Sequence, residues 1–190
     1  MAEKTLSATQ RPWITVDVDI GGPLVYDVNG PNFTFKFILE NIGNSPARNV
    51  WPDFKIVLLN GGQIITHFDV REIQIEMIKD RKNIEQAYVG HTIFPKERVT
   101  QQMTYTITNF TRNQHGVISP MLVGAVYYYS DFGSKPHQTG LMRGISRGDA
   151  PIEESTTGRF QPSICIDEGD IQARDLRIIR PPFMSGGYAD

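Results

Sequence analysis

Short runs of alternating apolar and polar residues dominate the first 145 positions of the chain. In a strand, successive side chains point to opposite faces, so this alternation predicts strands with one buried face. Similar runs occur at 13–20 and 99–107. The clearest run covers 33–41, where the apolar positions are Phe33, Phe35, Phe37 and Leu39.

Residues 121–129 are almost continuously apolar. Such a run is typical of a central strand that is covered on both faces. In that strand Tyr127 and Tyr129 share one face and Tyr128 lies on the other.

The period changes over residues 69–86. Val70, Ile73, Met77 and Ile84 recur at helical spacing, and Asp69 is placed to accept the first backbone N–H bonds of a helix. Ile73 and Met77 also fit a strand, but the many Glu, Lys, Arg and Gln residues favour a helix.

These elements predict a mainly β fold: an immunoglobulin-like antiparallel β-sandwich of about seven strands with one inserted α-helix at about 69–86. We expect a polar N-terminal coil at 1–12, the sandwich domain at 13–146, and a loop-rich acidic C-terminal extension at 147–190. Within the extension, 164–166 and 176–179 each have the composition of an edge strand or a short helix.

Composition narrows the class of protein. The chain has 190 residues, 39% of them hydrophobic, with a formal net charge of −2. That balance excludes a disordered chain and a strongly basic nucleic-acid binder. A single cysteine, Cys165, excludes an internal disulfide framework. The longest apolar run is too short to span a membrane, and the first residues lack the apolar stretch of a signal peptide. The localisation stays open.

Candidate catalytic chemistry is sparse. His67, His91, His115 and His137 are far apart, with no second ligand at the short spacings that metal sites use. The acidic residues at 167–170 lack the spacing of a calcium loop. The sequence therefore predicts no catalytic residue, no cofactor and no metal site. One alternative stays open, namely a histidine and carboxylate site that only folding assembles.

Aromatic residues offer two interpretations. Tyrosine and tryptophan are enriched at interfaces, which makes Trp51, Tyr88, Tyr127 and Tyr129 candidate partner-binding residues. A tyrosine hydroxyl bonded to the backbone also supports many sandwiches, so these side chains equally suit a structural role.

The loop at 41–47 contains three residues that favour a turn. Asn41 is able to bond neighbouring backbone groups, Gly43 to adopt a positive φ, and Pro46 fixes its own φ. We expect this motif to be architectural and to carry the chain from one sheet to the other.

Residues 41–50, NIGNSPARNV, resemble the N-x-G-x-x-P/A-x-x-V signature of cell-adhesion-related (CARDB-like) bacterial immunoglobulin-like domains. More closely, the chain resembles a family of small bacterial proteins without assigned activity. The resemblance rests on Arg11-Pro12-Trp13, the loop at 41–47, Phe94-Pro95-Lys96-Glu97 and residues 135–139. It implies a β-sandwich and, in the native protein, one membrane-spanning helix ahead of Arg11; it implies no catalytic residues.

Two classes of function follow. The first is a non-catalytic interaction module that docks a protein partner or assembles with itself, tethered to a membrane if an anchor helix precedes this chain. The second is a ligand-binding protein or enzyme with a spatially assembled site. The lack of clustered polar chemistry favours the first.

Overall fold

Strands make up most of the described chain, as the alternating pattern predicts. The computed structural model describes residues 11–59, 67–82, 90–107, 117–131, 136–148, 164–165 and 169–180. Within these ranges the elements are β1 (Ile14–Ile20), β2 (Val25–Asp27), β3 (Gly30–Asn41), β4 (Ala47–Leu59), α1 (His67–Lys82), β5 (His91–Ile93), β6 (Arg98–Thr106), β7 (Val117–Ser130), β8 (His137–Arg147), β9 (Ile164–Cys165), a 3-10 turn (Ala173–Asp175) and β10 (Leu176–Ile179).

The strands form two antiparallel sheets. In the small sheet β3 is central, with β1 and β2 along one side and β6 along the other. The large sheet has the order β10-β8-β7-β4-β5, and β9 pairs with the start of β7. The loop between β3 and β4 joins the two sheets, as the turn residues there predict. The mainly β, two-sheet sandwich is therefore confirmed.

The core lies between the two sheets and is built by the alternation seen in the sequence. On β3, Phe33, Phe35, Phe37 and Leu39 are at most 1% exposed. The ring of Phe37 stacks on that of Phe54 in β4, with 4.5 Å between centroids. This contact joins the small sheet to the large one through apolar burial, the main favourable term in folding.

Strand β7 is covered on both faces, as its continuous apolar run predicts. Leu122, Val126 and Tyr128 belong to the core between the sheets. On the opposite face Met121 and Val123 form a second buried cluster with Val70 of α1. The helix therefore packs against the outer face of the large sheet.

The helix is confirmed, but its start differs from the prediction. It begins at His67, so Asp69 is the third helical residue and not the residue before the first turn. Gln74 is 1% exposed, and its side-chain amide donates to the carbonyl of Gly124 at 2.8 Å. Residues 83–86, which the prediction included, lie outside the described residues.

The described part of the C-terminal extension belongs to the sandwich, so the division at residue 146 does not separate two structures. Ile164, Ile171 and Leu176 are buried in the main core. Ile171 exchanges two backbone hydrogen bonds with Leu24 beside the small sheet, and β10 pairs with β8 in the large sheet. This segment therefore helps to close the core between the two sheets, because its apolar side chains are buried there and its backbone pairs with Leu24 and with β8.

An ion pair between Arg180 and Asp17 holds the end of this segment against β1. Arg180 Nη2 lies 3.3 Å from Asp17 Oδ1 on β1, and Arg143 Nη2 lies 3.9 Å from the same oxygen. Burial lowers the pKa of Arg143, the charge of Arg180 adds to that effect, and Asp17 opposes it. One carboxylate thus holds two guanidinium groups at the edge of the sandwich.

Candidate docking site

Asn41 occupies a core position at the end of β3 and is fully buried. It continues the inward-facing row of Phe37 and Leu39, where an apolar side chain would be expected. Burying an amide costs free energy unless its donors and acceptors are bonded. The stability of this end of β3 therefore depends on the hydrogen-bond partners of the Asn41 side chain.

All of the hydrogen-bonding capacity of the Asn41 amide is used. Its Nδ2 donates to the carbonyls of Ser45 at 2.8 Å and Ile93 at 2.9 Å. Its Oδ1 accepts from the backbone N–H groups of Trp13 at 3.2 Å and Gly43 at 3.0 Å. A primary amide has two donor hydrogens and two acceptor lone pairs, so the side chain is saturated. It connects the N-terminal segment, the β3–β4 loop and β5.

Gly43 is needed for close approach, and the predicted positive φ is wrong. Its φ lies outside the left-handed region, which among the described glycines only Gly30 and Gly169 occupy. A Cβ at residue 43 would lie 2.4 Å from the nitrogen of Trp13 and 2.6 Å from the carbonyl oxygen of Arg11. The absence of a side chain therefore lets the β3–β4 loop press against the N-terminal backbone.

The Phe94–Glu97 segment forms a β-turn beside Asn41. Glu97 N donates to Phe94 O at 3.0 Å, and the Glu97 carboxylate accepts from Phe94 N at 2.8 Å. Lys96 N donates to Asn41 O at 2.7 Å, and Asn41 N donates to Glu97 O at 3.1 Å. The turn has proline at its second position and a residue with φ 67, Lys96, at its third, as a type II turn requires.

Replacing Lys96 by glycine should raise the free energy of unfolding by about 1 kcal/mol, because a left-handed φ strains an L side chain and does not strain glycine. Urea denaturation would measure the gain. Lys96→Ala is the matched control, since it removes the lysine chain but keeps the Cβ that causes the strain. A glycine variant no more stable than the alanine variant would contradict this account of the turn.

A fourth segment reaches the same end of the sandwich. The Thr139 hydroxyl donates to the carbonyl of Ile14, which pairs with Asn41 in the β1–β3 ladder. Three of the segments that carry the family resemblance therefore bond Asn41, and Thr139 of the fourth bonds the neighbouring strand β1. We call the surface formed by residues 11–13, 42–46, 94–97 and 136 the Asn41 end.

Two large apolar side chains are exposed at the Asn41 end. Ile42 is 56% exposed and Phe94 is 59% exposed. Ile42 directly follows Asn41, and Phe94 directly follows Ile93, whose carbonyl accepts from the Asn41 amide. Both residues are thus one peptide unit from a buried hydrogen-bonded group. Their backbones are fixed while their side chains face solvent.

Basic side chains accompany these two residues. The Arg11 guanidinium lies 4.2 Å from the ring centroid of the partly exposed Trp13, within cation–π range. Lys96 is exposed on the adjacent turn. Arg48 forms an ion pair with Asp131, and the Glu97 carboxylate accepts from the N–H of Phe94. Two cationic side chains, Arg11 and Lys96, and one carboxylate, Glu97, therefore lie beside Ile42 and Phe94.

Three of the four sequence-derived partner-binding residues lie elsewhere. Trp51 and Tyr127 are opposite each other in the β4–β7 ladder, on the outer face of the large sheet. Tyr127 is 6% exposed, and its hydroxyl lies 3.4 Å from the carbonyl of Gln74, to which it donates. Tyr127 thus takes the structural role that the sequence left open. Trp51 and Tyr129 are partly exposed, and Tyr88 lies outside the described residues.

The histidines do not converge where the structure describes them. His91 in β5 and His137 in β8 are separated by β4 and β7, a distance of roughly 14 Å at the usual strand spacing. Within the described ranges no three His, Cys, Asp or Glu side chains are placed to hold a metal ion. Asp170, from the predicted acidic loop, accepts from the backbone of Tyr26 at 2.9 Å.

Sequence reasoning missed Ile42 and Phe94 as candidate site residues. A signal was present: each is a large apolar residue inside a turn, next to Gly43 in one case and Pro95 in the other. Apolar residues in such turns have no strand face to bury them.

In comparisons with known proteins, no family model, no curated protein and no solved structure matches the chain. Across the residues that the structure describes, no helix is long and apolar enough to cross a membrane.

Proposed function

We propose that this protein is a non-catalytic interaction module that docks another protein through the Asn41 end. The observation that carries the proposal is the pair of exposed apolar side chains, Ile42 and Phe94, held beside a saturated buried amide. Loops on a rigid scaffold are where sandwich domains commonly bind their partners.

The physical case rests on preorganisation. Fully burying a side chain of this size contributes roughly 1.5–3 kcal/mol, and more than half of each side chain is available for burial. A partner would not have to order the loops, because Asn41 and the turn at 94–97 already fix them. Lower ordering cost leaves more of the contact free energy as affinity.

The charges at the Asn41 end favour one kind of partner. Arg11 and Lys96 outnumber the Glu97 carboxylate at this end, so two such ends carry the same excess of positive charge, and like charges across an interface are unfavourable. The surface instead suits another protein with an apolar segment flanked by acidic residues. Trp51 and Tyr129 remain predicted partner-binding residues, with the outer face of the large sheet as a second surface. Tyr88 also remains a predicted partner-binding residue and lies outside the described residues.

The same proposal includes the finer fold assignment. Strands β1, β3 and β6 in one sheet and β4, β7 and β8 in the other have the order expected for the A, B, E and C, F, G strands of an immunoglobulin-like domain. We also propose membership of the bacterial family that the sequence resembles, and a native membrane tether ahead of Arg11. The support for these two points is the resemblance itself.

Replacing Ile42 and Phe94 together by serine should reduce partner capture by at least about tenfold, because a few residues usually carry most of the binding free energy of an interface. The measurement is quantitative co-purification from the native host, comparing the variant with the unchanged protein. Urea denaturation should give the same unfolding midpoint for both, since neither side chain belongs to the core.

Val28→Ser is the matched control. Val28 is 99% exposed in the β2–β3 loop, at the opposite end of β3 from Asn41, so its replacement should leave capture unchanged. A Trp51→Ser variant tests the second surface in the same experiment. If the Ile42/Phe94 variant captures the same proteins in the same amounts, the Asn41 end is not the docking surface.

A further inference from the structure

Within the described ranges of the chain, β6 forms the longer of the two edges of the small sheet. Strand β6 pairs with β3 through nine consecutive residues, Arg98–Thr106, without a register shift. The part of the chain that the structure describes places no strand on the other side of β6. Among the other sheet edges in the described chain, β1 has seven residues and carries Asp17, which Arg180 contacts. Leu24 is bridged by Ile171 next to β2, β5 has three residues and β10 has four.

The free backbone groups of this edge can be assigned. Ile107 N donates to Pro31 O, so odd-numbered residues of β6 bond to β3. Hydrogen bonding alternates along an antiparallel strand. The N–H and C=O groups of Thr100, Gln102 and Thr104 therefore point away from the sheet.

The sequence of β6 lacks the features that usually protect an edge. Proteins block free edges with proline, bulges, inward charges or lysine. In Arg98–Thr106 the sole charged residue is Arg98, at the first position, and there is no proline or glycine. Val99, Met103 and Tyr105 pack against the core but stay half-buried, so the core is incompletely closed along this strand.

We propose that β6 is a self-association edge, on which the β6 strand of a second copy of this chain pairs antiparallel about Gln102. In this register Gln102 faces its own copy, Thr100 faces Thr104, and Val99 faces Tyr105. Opposite residues share a face, so the half-buried side chains of the two copies lie over a common core. The two Arg98 side chains lie at opposite ends of the ladder, roughly 26 Å apart, so like charges do not meet.

A second copy fits this edge because the pairing is self-complementary. A two-fold axis through Gln102 brings the same residues together from both copies, as closed dimers require. The small sheets then join into one continuous sheet. The pairing uses backbone groups of β6 and not the side chains of Ile42 and Phe94, so the proposal does not depend on the docking function.

The test places like or opposite charges at the axis. Sedimentation equilibrium of the full chain should give a concentration-dependent monomer–dimer equilibrium. Gln102→Lys and Gln102→Glu should each raise the dimer dissociation constant by at least about tenfold, because identical charges then face each other. An equimolar mixture of the two variants should recover dimers, since opposite charges then meet at the axis.

Two controls complete the test. Gln172→Lys makes the same charge change at an exposed position outside β6 and should leave the dimer intact. Gln102 lies opposite Lys36 in the β3–β6 ladder, so a charge at position 102 also changes the stability of the fold itself. Urea denaturation of each variant therefore shows whether a lost dimer reflects lost pairing or lost folding. A wild-type monomer up to millimolar concentration would overturn the proposal, and so would unchanged dimers of both charged variants.

Discussion

Replacing Asn41 by alanine should lower the free energy of unfolding by about 3–5 kcal/mol. The substitution removes four hydrogen bonds and leaves the carbonyl of Ile93, a fully buried residue, without the donor that Asn41 supplies. A buried polar group without a hydrogen-bond partner lowers stability by more than a typical exposed hydrogen bond adds to it. The free energy of unfolding of a native protein is about 5–15 kcal/mol, so this loss is a large share of the total stability. Urea denaturation followed by fluorescence would measure it.

Two further variants sharpen this result. Asn41→Asp keeps an acceptor for the N–H groups of Trp13 and Gly43 but removes both donors and places a carboxylate against two carbonyl oxygens, so we expect it to be at least as destabilised. Asn29→Ala removes an exposed asparagine side chain and should change stability by less than about 0.5 kcal/mol. An Asn41→Ala variant as stable as Asn29→Ala would show that the buried amide does not organise this end.

Replacing Gly43 by alanine should lower the free energy of unfolding by about 2–3 kcal/mol, because the new Cβ overlaps backbone atoms that cannot rotate away. The three nearest atoms, in Arg11, Pro12 and Trp13, all lie within 2.7 Å of the position that the added methyl group would occupy, and all belong to the main chain. The N-terminal segment must therefore move. A changed Trp13 emission at low denaturant, together with a lower urea midpoint, would report both effects.

Gly148→Ala is the matched control for that clash. The atom nearest to its added Cβ is the Arg177 Nε at 3.1 Å, at the end of a flexible side chain that can shift. We expect a cost below about 1 kcal/mol there. If Gly43→Ala were no more costly than Gly148→Ala, the close approach of the β3–β4 loop to residues 11–13 would not be required for stability.

The period-two pattern predicted the core of this protein because burial acts on individual faces of a strand. Phe33, Phe35 and Phe37 are buried as their spacing requires, and the continuous run in β7 is covered by the second sheet and by α1. The loop at 41–47 was predictable from its turn residues. The burial of Asn41 was also predictable, since this residue continues the inward-facing row of β3.

Other features required the tertiary structure. Residues 169–180 are rich in polar side chains, and their role in closing the core depends on contacts with Leu24 and β8 far away in sequence. Gly43 was assigned a left-handed φ because turn chemistry is local, while its actual constraint is the backbone of residues 11–13. Tyr127 was a docking candidate by composition, but α1 covers it in the folded chain.

The candidate docking site shows the same limit. Its two exposed residues, Ile42 and Phe94, are 52 positions apart in sequence and lie at the same end of the sandwich, because Ile42 follows Asn41 and Phe94 follows Ile93, which the Asn41 amide bonds. No periodic pattern connects them. Exposure of an apolar side chain in a turn is visible in the sequence, but the pairing of two such turns is a property of the fold.

The most direct measurement of the docking account is photo-crosslinking in the native host, with benzoylphenylalanine in place of Phe94. The probe resembles the residue that it replaces, and the same probe at Val28, which is 99% exposed, serves as a reference at a solvent-exposed position outside the Asn41 end. We expect the probe at position 94 to crosslink to another protein and the probe at position 28 to give no such product. Equal crosslinking at both positions, or products at position 94 that contain only two copies of this chain, would contradict the account.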